Sequence, residues 1–324
     1  MNCLPDPETT RAGAVEDGRE IEELVRGLDS LLDGEAVAAQ LIALGPRIIP
    51  VVKSFLFHGK PGVVYQPRRR AVEVLGAVGA KAVLLEYLIA QKNIPDPAVR
   101  MAEEVVENAA AREVAKWPTR DVLDVLMRFA LPRSRSGIIE ALGHFRTPEA
   151  IPYFLHALED DVCRNAAEEA LRSFGRDAEI ELIAAARREL PSPDDERPSS
   201  LRRRRAALSL LVELRPSTTS WPMLKPLMDS PDPALVISAV QIATTIGSRE
   251  DRIAAVGCLL KVLPDADWYL RDDIQDSLSS LYAEGRASID ALLAERAAMP
   301  KTHQVTDSVL ATLLAVRRRN QRAS

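Results

Sequence analysis

Arginine clusters are the chemically loaded feature of this chain. Arg68, Arg69 and Arg70 stand in a row at the start of a run of helix formers, and Arg202 to Arg205 repeat the arrangement further on. A guanidinium fork binds carboxylate or phosphate in bidentate fashion, and the free N–H groups of a helix N-terminus add to such a site. The loop before the first cluster adds Lys60 within a Gly59-Lys60-Pro61-Gly62 turn, and the ring of Tyr65. Lys60, Tyr65, Arg69, Arg70, Arg202, Arg203 and Arg205 are therefore the candidate partner-binding residues, and an acidic protein or peptide is what such charge would select. The competing reading is a solvated helix end whose arginine stems cover apolar surface. Cations at a helix start oppose its dipole by roughly 0.3–1 kcal/mol each, so the architecture or a partner must offset them.

Catalytic constellations are a different matter. The sequence holds no dinucleotide-binding GxGxxG, no P-loop and no GxSxG nucleophile elbow. His58, His144, His156 and His303 are isolated from one another in sequence, and Cys3, Cys163 and Cys258 form no CxxC pair. Neither a metal site nor a disulfide framework has a basis, no cofactor is expected, and the cysteine usage fits a reducing cytoplasm.

What must position the arginines is a helical framework. At 324 residues the chain exceeds the size at which one core stops growing, so it reads as two domains or an elongated repeat. Aromatic residues make up only 4% against 47% apolar, which implies an interior of Ala, Val, Leu and Ile packed between close helices. No stretch has the length of a membrane span, and the acidic N-terminus lacks an apolar leader segment. Residues 1–33 carry nine carboxylates against three arginines, a charge of −6, so the rest of the chain totals +1. That body lacks the broad basic footprint of a duplex-DNA binder. Residues 1–18 are expected to be disordered and acidic, and 317–324 to form a basic tail.

Self-comparison reveals a period. The segments AQLIALG (39–45), EVLGAVG (73–79), EVVENAA (104–110), EALGHFR (140–146), EALRSFG (169–175), SLLVELR (209–215) and QIATTIG (241–247) share small or apolar residues in register, with weaker copies at 276–282 and 308–314. Their ends lie 29 to 40 residues apart, the length of one helical hairpin. Between these anchors run second apolar-periodic helices, such as Ile151, Phe154, Leu155 and Leu158. Proline pairs four apart (Pro46/Pro50, Pro148/Pro152, Pro222/Pro226) predict a bend near the start of that second helix. The Pro-, Ser- and Asp-rich stretch near 190–200 lengthens one interval and predicts an irregular loop within the array.

The stretch IIEALGHFRTPEAIPYFLHALEDDVCRNAAEEALRSFG (138–175) resembles the HEAT-repeat family, especially the HEAT-like repeats related to phycobilin lyases. The resemblance implies an all-α solenoid of about eight to nine hairpins over 19–316. It also implies a recurrent structural arginine near the start of each anchor helix, matched by Arg68, Arg135, Arg164, Arg204 and Arg271, with Asp161 before Arg164 as in the family pattern. Some DNA glycosylases with HEAT-like repeats use a tryptophan and a nearby aspartate, a pattern Trp117 and Asp121 match only in spacing. Their ordinary roles would be an inter-helix plug and a surface charge near a helix start. The reading that follows is a non-enzymatic cytoplasmic scaffold or adaptor for a protein or peptide, not nucleic acid or membrane. The alternative is a HEAT-like enzyme or enzyme subunit, either a chaperone of bilin attachment or a nucleic-acid-processing protein.

Overall fold

The computed structural model describes residues 19–59, 61–90, 92–130, 135–187, 196–300 and 307–323, and among them every regular element is a helix. Residues 1–18, Lys60 and residues 190–195 of the 190–200 stretch lie outside the described residues. The helices are α1 (19–27), α2 (Gly34–Ala43), α3 (Ile49–His58), α4 (Gln66–Ala77), α5 (Lys81–Ile89), α6 (Pro97–Val114), α7 (Arg120–Phe129), α8 (Ser136–Gly143) and α9 (Ile151–Ala157). There follow α10 (Arg164–Phe174), α11 (Glu179–Ala186), α12 (Pro198–Leu214), α13 (Trp221–Leu224), α14 (Pro233–Ile246), α15 (Arg249–Val262), α16 (Trp268–Ser280), α17 (Tyr282–Ala297) and α18 (Ser308–Ala323).

All nine sequence anchors fall on even-numbered helices, α2 to α18. The chain divides into two compact units, residues 1–153 and 154–324. In the first, α2, α4, α6 and α8 pack side by side in chain order, with α3 and α5 against α4, and α7 against α8. In the second, α10, α12, α14, α16 and α18 form the same kind of row, backed by α11, α15 and α17. Each unit is thus a run of helical hairpins stacked in sequence, the α-solenoid arrangement, in which a hairpin buries its faces against its neighbours. The division falls after Tyr153 rather than near 190–200, where α11 packs closely on α12.

The core is aliphatic, as the composition implies. Leu41, Leu56, Leu75, Leu84 and Leu142 in the first unit, and Leu171, Leu208, Leu211, Leu259 and Leu278 in the second, are fully buried. Each such side chain contributes roughly 1.5–3 kcal/mol through removal from water. Five anchors end on a left-handed residue: Gly45, Gly79, Arg146, Gly175 and Arg215 have φ between 47° and 80°. That conformation terminates the anchor helix and turns the chain into the hairpin, which is why three of the five are glycine.

The proline pairs do something other than bend a continuous helix. Pro46 lies in a 3₁₀ turn (Gly45–Ile48) ahead of α3, Pro148 in one (Pro148–Ala150) ahead of α9, and Pro226 in one (Lys225–Asp229) after α13. Proline lacks the N–H that an α-helical i−4 bond needs, so the backbone changes helix type where the pairs occur. The expected basic tail is likewise part of an element, since Arg317 to Arg319 and Arg322 belong to α18. No single helix among the described residues is long and apolar enough to cross a membrane.

Candidate functional site

The arginine clusters resolve residue by residue. Arg68 Nη2 donates to the Leu56 carbonyl at the end of α3 (2.9 Å), and its guanidinium pairs with Glu103 of α6. Arg204 makes the equivalent contact, Nε to the Ala186 carbonyl at the end of α11 (2.9 Å), and pairs with Glu196 (2.8 Å). In a hairpin the start of the anchor helix meets the C-terminal end of the helix before it, where unpaired carbonyls carry partial negative charge. An arginine there neutralises its neighbour's dipole, which explains positive charge where its own helix disfavours it.

Arg70 behaves the same way, against the expectation that it was free for a partner. Its Nη1 donates to the carbonyls of Leu28 (2.8 Å) and Ser30 (2.9 Å) just past α1, its Nε meets Glu35 (2.9 Å), and the side chain is buried. Arg203 pairs with Glu159 (2.7 Å), Arg202 donates to the Glu159 carbonyl (3.1 Å), and Arg205 meets Asp232 at 3.1 Å. The second cluster is therefore largely spent on holding neighbouring repeats together. Asp121 is also committed, to Lys81 (2.8 Å), whose hydrogen bond and that of Thr119 lower its carboxyl to about 2. Trp117 is half-buried.

Behind Arg68 lies a polar core that sequence reasoning missed. Glu103, 3% exposed, accepts from the Tyr87 hydroxyl and pairs with Lys92 (2.9 Å), whose ammonium sits 3.4 Å from the centre of the Tyr87 ring. Lys92 also reaches Glu107 (3.0 Å), which Arg135 pairs with from the segment before α8. Burial alone would raise the Glu103 carboxyl, but Lys92, the Tyr87 hydroxyl and Arg68 together hold it below the usual range. The signal available in the sequence was Glu103 and Glu107 four apart on one helix face, 35 and 28 residues from Arg68 and Arg135.

Arg69 and Tyr65 have a different setting. They line a groove of about 490 Å³ between α4 and α6, with Gln66 and Glu73 on one wall and Val105, Ala109, Arg112 and Glu113 on the other. Spacings of three and four on each helix put these residues on facing stripes. Gly76 leaves room for the Glu113 carboxylate, which a Cβ there would displace. Arg69, half-exposed, lies 3.3 Å from Glu73 and 3.8 Å from Glu35, whereas Arg112 holds Glu140 of α8 at 3.1 Å through Nη2. Burial, countered by Arg69 and reinforced by Glu35 and Glu113, raises the Glu73 carboxyl. Met101, 69% exposed, lies one turn before Val105 on the same stripe of α6. The groove thus offers an apolar floor between walls that each carry both signs of charge.

These rows of stacked helical hairpins define a helical-repeat protein. Residues 102–172, from within α6 to within α10, match the family model for HEAT repeats, in agreement with the resemblance seen at 138–175. No curated protein matches the chain in sequence.

Proposed function

We propose that this chain is a non-enzymatic HEAT-repeat scaffold that holds an extended segment of a protein partner in the α4–α6 groove. HEAT repeats generally serve as platforms for protein interactions. The observation that carries the reading is the groove's composition: every guanidinium in it already faces a carboxylate, so a small anion would have to displace Glu73, Glu35 or Glu140. A polypeptide segment with charges of both signs around a small apolar residue matches the walls and floor without that displacement. The acidic partner suggested by the arginines alone is thereby refined to a mixed-charge one. The free thiol of Cys258 fits a reducing cytoplasm.

The test is photo-crosslinking of the full chain in lysate from a reactive residue placed at Ala109, with Val105→Arg as the blocking variant. A stoichiometric protein partner that crosslinks at Ala109 and is lost with Val105→Arg is expected. Turnover of a substrate without any captured partner would overturn the reading.

A further inference from the structure

The start of α16 presents an unusual surface. Trp268 is 78% exposed and Tyr269 52% exposed, their rings meeting edge to face with centroids 6.1 Å apart. The other described tryptophans are not displayed in this way: Trp221 is buried with its indole N–H on Asp251 (2.8 Å), and Trp117 is half-buried. A large aromatic ring left in water forgoes much of the stabilisation its burial would supply, so two adjacent ones mark a surface suited to being covered.

The charges around the pair say what would cover it. Helical spacing sets Asp272 and Asp276 on the Trp268 stripe, and Asp273 on the Tyr269 stripe. Asp276 is paired with Arg319 of α18, and Arg205 near Tyr269 is held by Asp232. Among the described residues Asp272 and Asp273 have no cation at ion-pair distance, and both are exposed. Partial burial of the carboxyl, and then the neighbouring Asp276 and Asp272 carboxylates, raise the Asp273 carboxyl.

We infer that the Trp268–Tyr269 pair and the Asp272–Asp273 carboxylates form a second docking surface, in the C-terminal unit, for a lysine- or arginine-rich segment of a partner protein. The cationic side chains lie over the aromatic faces and against the two carboxylates, and the stems of those side chains cover the rings. Nucleic acid is repelled by the same carboxylates. The surface belongs to a different unit from the α4–α6 groove, so either can be lost without the other.

Fluorescence anisotropy of a labelled lysine-rich peptide containing leucine, titrated with the full chain at several salt concentrations, tests this. A matched glutamate-rich peptide serves as the control. The lysine-rich peptide binds and the glutamate-rich one does not. Trp268→Ala with Tyr269→Ala weakens binding by about tenfold. Asp272→Asn with Asp273→Asn weakens it by roughly threefold and flattens the salt dependence. Because all four side chains are exposed, the melting temperature stays unchanged, and Val105→Arg in the groove leaves this affinity intact. Equal affinity in wild type and both double variants, no binding of the lysine-rich peptide, or preference for the acidic one would overturn the assignment. So would a wild-type dimer that Trp268→Ala with Tyr269→Ala converts to monomer, since the pair would then be covered by a second copy.

Discussion

Arg68 and Glu103 form an ion pair between adjacent repeats in which neither side chain is more than 9% exposed. Its partners on both sides, the Leu56 carbonyl, the Tyr87 hydroxyl and the Lys92 ammonium, complete a network joining α3, α4, α5 and α6. Removing one member leaves charge in a dry site. Glu103→Ala should therefore cost about 3–5 kcal/mol in urea denaturation. The double variant Arg68→Met with Glu103→Leu should cost less than the sum of its single changes, because together they remove both charges. Strict additivity would show that the two act independently.

Leu142 on α8 is fully buried, whereas Arg69 is half-exposed and paired only at 3.3 Å and beyond. Leu142→Ala should cost about 2–5 kcal/mol through lost transfer energy and a cavity, and Arg69→Ala under about 0.5 kcal/mol. Paired thermal melts check the contrast.

Arg146 and Arg215 occupy left-handed positions that glycine fills in three other repeats, with φ of 47° and 54°. Both are exposed, and an L-residue there is strained by about 1–2 kcal/mol. Arg146→Gly and Arg215→Gly should each stabilise the chain by about 0.5–1 kcal/mol after the added freedom of the unfolded chain is counted. Differential scanning calorimetry reads the gain as a higher melting temperature.

Asp251 caps α15 through Ser248 and accepts the Trp221 indole N–H, with Lys225 at 2.8 Å. The Lys225 hydrogen bond, with those of Ser248 and Trp221, holds its carboxyl well below the ordinary 3.8 although the residue is buried. A depressed folded value means the stabilisation is fully present above the unfolded value and fades as pH falls toward the folded one. Asp251→Asn should cost about 1–3 kcal/mol near neutrality. The gap to wild type should close progressively below about pH 4, as Trp221 fluorescence during denaturation would report.

The repeat was legible because small and apolar residues at the anchors recur with the period of the hairpin, and all nine landed on one set of helices. The structural role of Arg68 and Arg204 was legible through the resemblance to HEAT repeats, which implies an arginine at that place of the period. That of Arg70 was not, since its acceptors, the Leu28 and Ser30 carbonyls, are backbone atoms without a residue signature some forty positions away. The groove was half-visible: Tyr65 and Arg69 stood out, but Val105, Ala109 and Arg112 look like ordinary helix residues until α6 is laid beside α4. Trp268 carries no sequence mark of its exposure, because a large aromatic residue in an amphipathic helix is ordinarily placed on the buried face.

The two arginine-to-carbonyl contacts, Arg68 to Leu56 and Arg204 to Ala186, have a bearing on how this chain tolerates added sequence. Each ties the ends of its hairpin directly through a backbone carbonyl, Arg204 also holding Glu196 of the connection, and the entropy of closing a longer connection rises only by about 0.6 kcal/mol per doubling. The joints between α3 and α4 and between α11 and α12 are thus natural ports for grafting. A reporter or affinity module spliced there would extend the polypeptide while the latch keeps the adjoining helices in register.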